Sequence, residues 1–125
     1  MKIISRAELM QQPPGTLYWE LNLTTHGYNP IDLCILGESF DNGHNGDFFT
    51  HGIRSPEHED SVEMWEREDD MLTNGASYRV DMVHARDGLF DANAKYMIYE
   101  AGDITALLAE ILPAYPDAAL PGDDA

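Results

Sequence analysis

Residues 55–75, SPEHEDSVEMWEREDDMLTNG, carry both a start and a stop signal for one helix, and no other stretch constrains the chain as much. Ser55 suits the N-cap and Pro56 the first helical position, where its missing N–H costs nothing. Glu57, Glu59 and Asp60 then face the positive end of the helix dipole. Asn74-Gly75 supplies the left-handed residue that commonly ends a helix, so about twenty residues, roughly 30 Å at 1.5 Å each, lie between the signals. At 100° per residue Val62, Trp65 and Leu72 share one side, with Met64 and Met71 on its flank, and that side is expected to be buried. Glu59, Glu63, Glu66 and Asp70 form an acidic row on another side, with Asp69 next to it and only Arg67 to answer. Like charges at this spacing repel by a few tenths of a kcal/mol, and Glu68, Asp69 and Asp70 approach the negative end of the dipole. The row is therefore either a solvated face that keeps the protein dispersed or a surface selected for a basic partner.

The remaining elements read as a sheet with short helices. Ser5 and Glu8 make a capping box for two turns of helix that Pro13-Pro14-Gly15 must end. TLYWELNL alternates, with Leu17, Trp19, Leu21 and Leu23 on one face and Tyr18, Glu20 and Asn22 on the other. Residues 31–40 open as an almost unbroken apolar run, interrupted by Asp32 and typical of a central strand, and DNGHNGD turns into a short strand around Phe48 and Phe49. A fourth strand is expected over residues 77–84, a fifth over 95–99, and a last helix capped by Asp103 with Ile104, Leu107, Leu108, Ile111 and Leu112 at helical spacing. The expected fold is α+β: a mostly antiparallel sheet of about five strands, one long acidic helix and two shorter helices, with helices over one face. The 125 residues suit a single domain, placed at 1–115, and the proline-bearing acidic remainder, 116–125, reads as a flexible tail.

Charge bounds the partners. Asp and Glu number 23 against 7 Lys and Arg, a formal charge of −16, and no Lys or Arg falls between Ala7 and Ile53. A field of that sign repels nucleic acid and anionic membranes and attracts basic proteins. The one cysteine, Cys34, lies in the apolar run IDLCIL, which allows no internal disulfide and suits a reducing interior. No signal-peptide pattern opens the chain and no apolar run spans a bilayer, so a cytoplasmic protein is expected.

Chemistry finds little purchase. His44, His51 and His58 lie near Asp41, Asp47, Glu57 and Asp60, but H-x6-H places no pair on one helix face and no H-E-x-x-H occurs. Asp41, Asn45, Gly46 and Asp47 match parts of a calcium loop whose third and twelfth positions are Gly43 and Gly52, so a glycine turn is the better reading. No Ser or Cys nucleophile motif and no phosphate-binding glycine motif is present. Tyr18 and Tyr28 are expected outside the core, where rings can stack on a ligand or anchor a protein contact. Arg54, Arg79 and Arg86 would have to converge before an anionic ligand could bind.

The PPGT at residues 13–16 after a capped helix, and RDGLFD at 86–91 ahead of a strand and an Asp-capped helix, resemble small accessory proteins of phages and prophages. The resemblance spans both ends of the chain, omits the middle, and implies a phage accessory role with no catalytic residue to carry over. Together with the charge, it leads to the expectation of a small acidic binding protein in a bacterial host. It would act as an inhibitor of the DNA-mimic, anti-CRISPR-like kind, occupying a basic nucleic-acid-binding surface of a host defence protein. Glu59, Glu63, Glu66, Asp69 and Asp70 would make the contact, with no metal, cofactor, direct nucleic acid or membrane involved. Two alternatives stand beside it: a binder of a small ligand or signalling nucleotide, and a metal-assisted hydrolase that uses the histidines.

Overall fold

The computed structural model describes residues 1–24, 27–82, 84–88, 91 and 93–118. Among these, the elements run β1 (Lys2–Ser5), α1 (Arg6–Met10), β2 (Leu17–Thr24), β3 (Gly27–Phe40), β4 (Asp47–Gly52), α2 (Ser61–Asn74), β5 (His84–Arg86), β6 (Lys95–Ile98) and α3 (Ala101–Ile111). A 3₁₀ turn, Leu112–Ala114, follows. The strands form one antiparallel sheet in the order β1-β6-β2-β3-β4-β5.

The expected fold class needs correction in three respects. The sheet has six strands rather than about five, because Lys2–Ser5, ahead of α1, pairs with β6 as an edge strand. The strand expected over 77–84 is replaced by one bridge, Pro56 to Val80, and by the short β5. Glu57 N–H donates to Arg79 O at 2.8 Å and Asp81 N–H to Ser55 O at 2.6 Å, the two bonds that flank Pro56 and Val80 as a non-hydrogen-bonded antiparallel pair, in which the missing N–H of Pro56 costs nothing. The long acidic helix is the third correction. The helix has 14 residues and starts at Ser61, with Asp60 as N-cap accepting from Glu63 N–H at 2.8 Å. Pairing with Val80 keeps Pro56 extended, so the start moves to the next residue able to cap. The end is as expected, Gly75 at φ 68°.

The core lies on one face of the sheet, where Ile4, Leu9, Tyr18, Leu36, Phe48, Tyr96 and Ile98 pack together. Register places Ile98, Tyr18 and Cys34 in one row and Ile4, Tyr96 and Glu20 in another. Tyr18, Phe48 and Tyr96 meet edge to face with centroids 5.7–6.4 Å apart, each pair adding roughly 0.5–1.5 kcal/mol beyond its buried area. Tyr18, expected outside the core, is 3% exposed at its centre, whereas Tyr28 is exposed as expected. β2 does alternate as read, but the main core cluster lies on the side carrying Tyr18; of the side expected to be buried, Leu21 is buried at 5% exposure and Leu23 is 55% exposed. The opposite face carries the row Ile3, Met97, Trp19 and Leu33.

α1 covers the core face, contributing Leu9 and a buried arginine, Arg6. The capping box is present: Ser5 Oγ accepts from Glu8 N–H, and Glu8 Oε1 accepts from Ser5 N–H. The Arg6 guanidinium meets Asp47 Oδ1 at 3.2 Å and Asp87 Oδ2 at 3.3 Å, donates to Gly46 O at 2.9 Å, and lies 5.3 Å from the Phe48 ring centroid. The other two helices do not cover a face as expected, since neither α2 nor α3 buries a residue. The boundary expected after Tyr115 falls in a turn in which Ala118 N–H donates to Tyr115 O at 3.0 Å. Leu89 and Phe90 of the RDGLFD stretch, and the part of the expected tail from 119 to 125, lie outside the described residues.

Candidate functional site

Residues 55–81 leave the sheet and return to it as one excursion. Its base is the Pro56–Val80 bridge with the two flanking hydrogen bonds, reinforced by His58, whose Nδ1 donates to Pro56 O at 2.7 Å and lies 3.6 Å from Asp81 Oδ2. α2 is carried on this base.

The helix is held by its polar side. At 100° per residue Glu63, Arg67, Asp70 and Asn74 fall in one stripe, and the contacts that fix the helix come from that stripe. Arg67 donates to Glu57 O, pairs with Glu63 at 3.0 Å and lies over the Tyr78 ring at 4.9 Å. Tyr78 OH donates to Asp70 Oδ2 at 2.6 Å, and Asn74 Nδ2 donates to Asp70 Oδ1 at 2.8 Å. The Tyr78 and Asn74 bonds hold the Asp70 carboxyl below the ordinary carboxylate range, and Asp70 in turn pushes the Tyr78 phenol up. On a surface, solvent screening keeps such a cation–π contact and such charge-assisted bonds individually weak, and they act here as a set.

With its polar stripe turned inward, α2 presents the side expected to be buried. Val62 is 58% exposed, Trp65 62% and Leu72 87%. These three residues are the principal omission of the sequence reading, which identified the apolar side and assigned it to the core. A usable signal was present, because Glu63-Arg67 is an i, i+4 ion pair and Arg67 has an aromatic within reach in Tyr78.

The structure divides the five acidic candidates. Glu59 precedes the helix and is exposed. Glu63 and Asp70 belong to the inner stripe and are engaged with Arg67 and Tyr78. Glu66 is exposed, and Asp69, also exposed, accepts from Thr73 Oγ1 at 3.3 Å. Glu68, exposed between Trp65 and Leu72 in sequence, joins them on the outward side. The outward surface is thus apolar residues interleaved with Glu66, Glu68 and Asp69.

A groove of about 720 Å³ opens beside the base of the excursion, with Trp19, Ile31, Leu33 and Ile53 as apolar lining and Asp32, Arg54 and Asp81 as charged lining. Trp19 Nε1 donates to Tyr99 OH at 2.9 Å, and Arg54 stands 4.0 Å from Asp32. Of Arg54, Arg79 and Arg86, Arg54 alone lines it. Cys34 also borders the groove and packs against the core; burial pushes its thiol up, away from the thiolate that nucleophilic chemistry needs.

The histidines are used locally. His51 Nδ1 donates to Met82 O at 3.2 Å, His58 closes the excursion, and His44 is exposed in the glycine turn. In that turn Asn42 Oδ1 accepts from His44 and Gly46 N–H at 2.9 Å each, and Asp47, near the histidines in sequence, is buried on Arg6. Among the described residues no three His, Cys, Asp or Glu side chains gather in a way that could hold a metal. Nor is any helix among them long and apolar enough to cross a membrane. Comparison of the chain with family models, curated proteins and solved structures finds no match.

Proposed function

We propose that this chain is a small acidic binding protein that inserts the outward side of α2 into an apolar groove with a basic rim, on a protein that handles nucleic acid. The observation that carries the reading is the exposure of Trp65 and Leu72, at 62% and 87%, on a helix docked by its polar stripe. Amphipathic helices laid into grooves use apolar anchors at this kind of spacing, and Trp is enriched among interface residues whose loss is costly. Charge selects the partner. In a chain of formal charge −16, with Glu66, Glu68 and Asp69 flanking the anchors, a basic rim gains both steering and complementarity. The resemblance of the PPGT and RDGLFD turns to those of phage accessory proteins favours a host protein in the bacterial cytoplasm as the target, occupied and so inhibited without catalysis.

The experiment is affinity capture from bacterial lysate, followed by binding assays on the captured protein. Trp65→Ala is expected to weaken binding by about 30-fold or more, equivalent to the roughly 2 kcal/mol typical of an interface anchor. Glu66→Gln with Asp69→Asn should weaken it less and flatten its salt dependence, and excess duplex DNA should displace this protein. A captured protein that binds Trp65→Ala as tightly as the parent, or that DNA does not displace, contradicts the reading.

The groove beside Trp19 favours a second reading, a small, largely apolar ligand. Its volume and apolar lining suit one, and calorimetry with a fragment set would reveal it.

A further inference from the structure

The groove at the base of the excursion has few polar groups in its lining, and several are already engaged. Trp19 donates its indole N–H to Tyr99 OH at 2.9 Å, so the ring has no donor left and offers the groove only apolar surface. Thr50 Oγ1 lies 2.6 Å from Tyr18 OH. Burial pushes the Cys34 thiol up, toward its neutral form. Ile31, Leu33 and Ile53 complete an apolar wall.

The charges that remain are mostly negative. Asp32 and Asp81 line the groove, and among the described residues Arg54 is the Lys or Arg that answers them. Asp81 is turned to His58, whose Nδ1 lies 3.6 Å from its Oδ2. Arg54 reaches Asp32 at 4.0 Å with its own side chain 89% exposed, a pair open to water and salt that holds neither member firmly. Glu20 stands directly across from Asp32 in the β2–β3 register, its carboxyl pushed up by burial and by Asp87 and Asp32. An anion entering here would meet carboxylates, whereas a cation would find Asp32 with only a loosely held guanidinium in its way.

We infer, on the reading that this groove holds a small ligand, that the ligand is an organic cation: an ammonium or guanidinium on an apolar body, with the charge at Asp32 and the body against Trp19, Leu33 and Ile53. Arg54 already displays the arrangement from within the chain, a cation at Asp32 carried on an apolar stem, and the ligand takes its place. Size fits a small molecule, since about 720 Å³ lies inside the roughly 300–1,000 Å³ of ordinary ligand sites. The field fits as well, because a chain of formal charge −16 concentrates cations at its surface and repels anions of the same shape. Trp19 is pre-organised by its bond to Tyr99, which lowers what ordering the site costs on binding.

The test is an NMR titration with hexylammonium, hexanol and hexanoate, chains of equal length that differ in charge, up to about 10 mM at low and high salt. Hexylammonium should shift the amides of Leu33, Ile53 and Arg54, bind at least about 10-fold more tightly than hexanol, and lose part of that margin as salt rises. Hexanoate should bind most weakly. Asp32→Asn should cost hexylammonium about 5-fold or more and leave hexanol unchanged, whereas Glu110→Gln, which removes the same charge from α3, should cost less than about 2-fold. Arg54→Met should tighten hexylammonium by about 3-fold or more, because the competing guanidinium is gone. The Asp32, Arg54 and Glu110 side chains are all exposed, so the variants should fold. Hexanol binding as tightly as hexylammonium, or equal losses from Asp32→Asn and Glu110→Gln, overturns the inference and leaves the small-ligand reading standing. If none of the three compounds shifts the groove amides, both fall. A capped lysine that binds more tightly than hexylammonium assigns the cation to a protein segment and overturns the inference as well.

Discussion

Replacing Arg6 with Met keeps most of the side-chain volume and removes one charge, yet it should be among the most damaging single changes in the protein. The Arg6 side chain is 2% exposed, as is that of Asp47, and Asp87 is 8% exposed. Without the guanidinium the buried Asp47 carboxylate loses its cation, Asp87 loses its contact with Arg6, and Gly46 O loses a donor. Asp47 retains donors in Phe48 N–H at 2.8 Å and Gly88 N–H at 3.3 Å, which hold the carboxylate in place but do not neutralise it. Breaking a buried pair from one side typically costs about 3–5 kcal/mol. For a domain of this size that is a fall of roughly 12–20 °C in Tm, or about 2–3 M in the urea midpoint at a slope near 1.5 kcal/mol/M. Urea unfolding followed by circular dichroism reads it. Adding Asp47→Asn and Asp87→Asn to Arg6→Met removes the stranded charges, and about half of the loss should return. If Arg6→Met alone lies within about 1 kcal/mol of the parent, water reaches these carboxylates and the clamp between α1, β4 and the segment after β5 is not a structural element.

Three further outcomes follow from the geometry. Burial pushes the Tyr18 and Tyr96 phenols up, so the folded state holds these protons longer than the unfolded chain, whose tyrosines ionise near pH 10. Their contribution is complete below that pH and declines above it, and in an absorbance titration two of the six tyrosines should ionise only as the protein unfolds. Gly37→Ala should cost about 1–3 kcal/mol in urea unfolding, because the new Cβ would stand 2.9 Å from Phe49 Cβ and 3.1 Å from Phe49 O, and backbone cannot yield. Tyr78→Phe should raise the Asp70 carboxyl toward its ordinary range and speed amide exchange in α2 but not in the sheet, as NMR would register.

Local signals were legible in the sequence where the chemistry is local. The Ser5–Glu8 box, the Asn74-Gly75 stop, the alternation of β2 and the glycine turn at 41–47 each depend on neighbours within a few residues, and each is present. What could not be read depends on partners far along the chain. Pro56 is the first helical residue only if nothing pairs with it, and Val80 does. Alternation in β2 defines two faces without saying which is packed; that was decided by Phe48 and Tyr96, remote residues whose rings meet Tyr18 edge to face. The inversion of α2 has the same origin. Apolar periodicity marks Val62, Trp65 and Leu72 as one side, but Tyr78, beyond the end of the helix, supplies the ring and hydroxyl that dock the polar stripe instead. Arg6, Asp47 and Asp87 share no spacing at all, and only the fold brings them together.

The binding surface itself can be observed through its tryptophan. The chain has two, and Trp19→Phe leaves Trp65 as the single emitter. In the free protein Trp65, 62% exposed, should emit at long wavelength and be readily quenched by acrylamide. On titration with the captured basic protein, the account predicts a blue shift and at least a several-fold loss of quenching as the indole enters an apolar groove. A complex that forms with Trp65 still long-wavelength and fully quenchable would contradict it, and would place the contact on another surface.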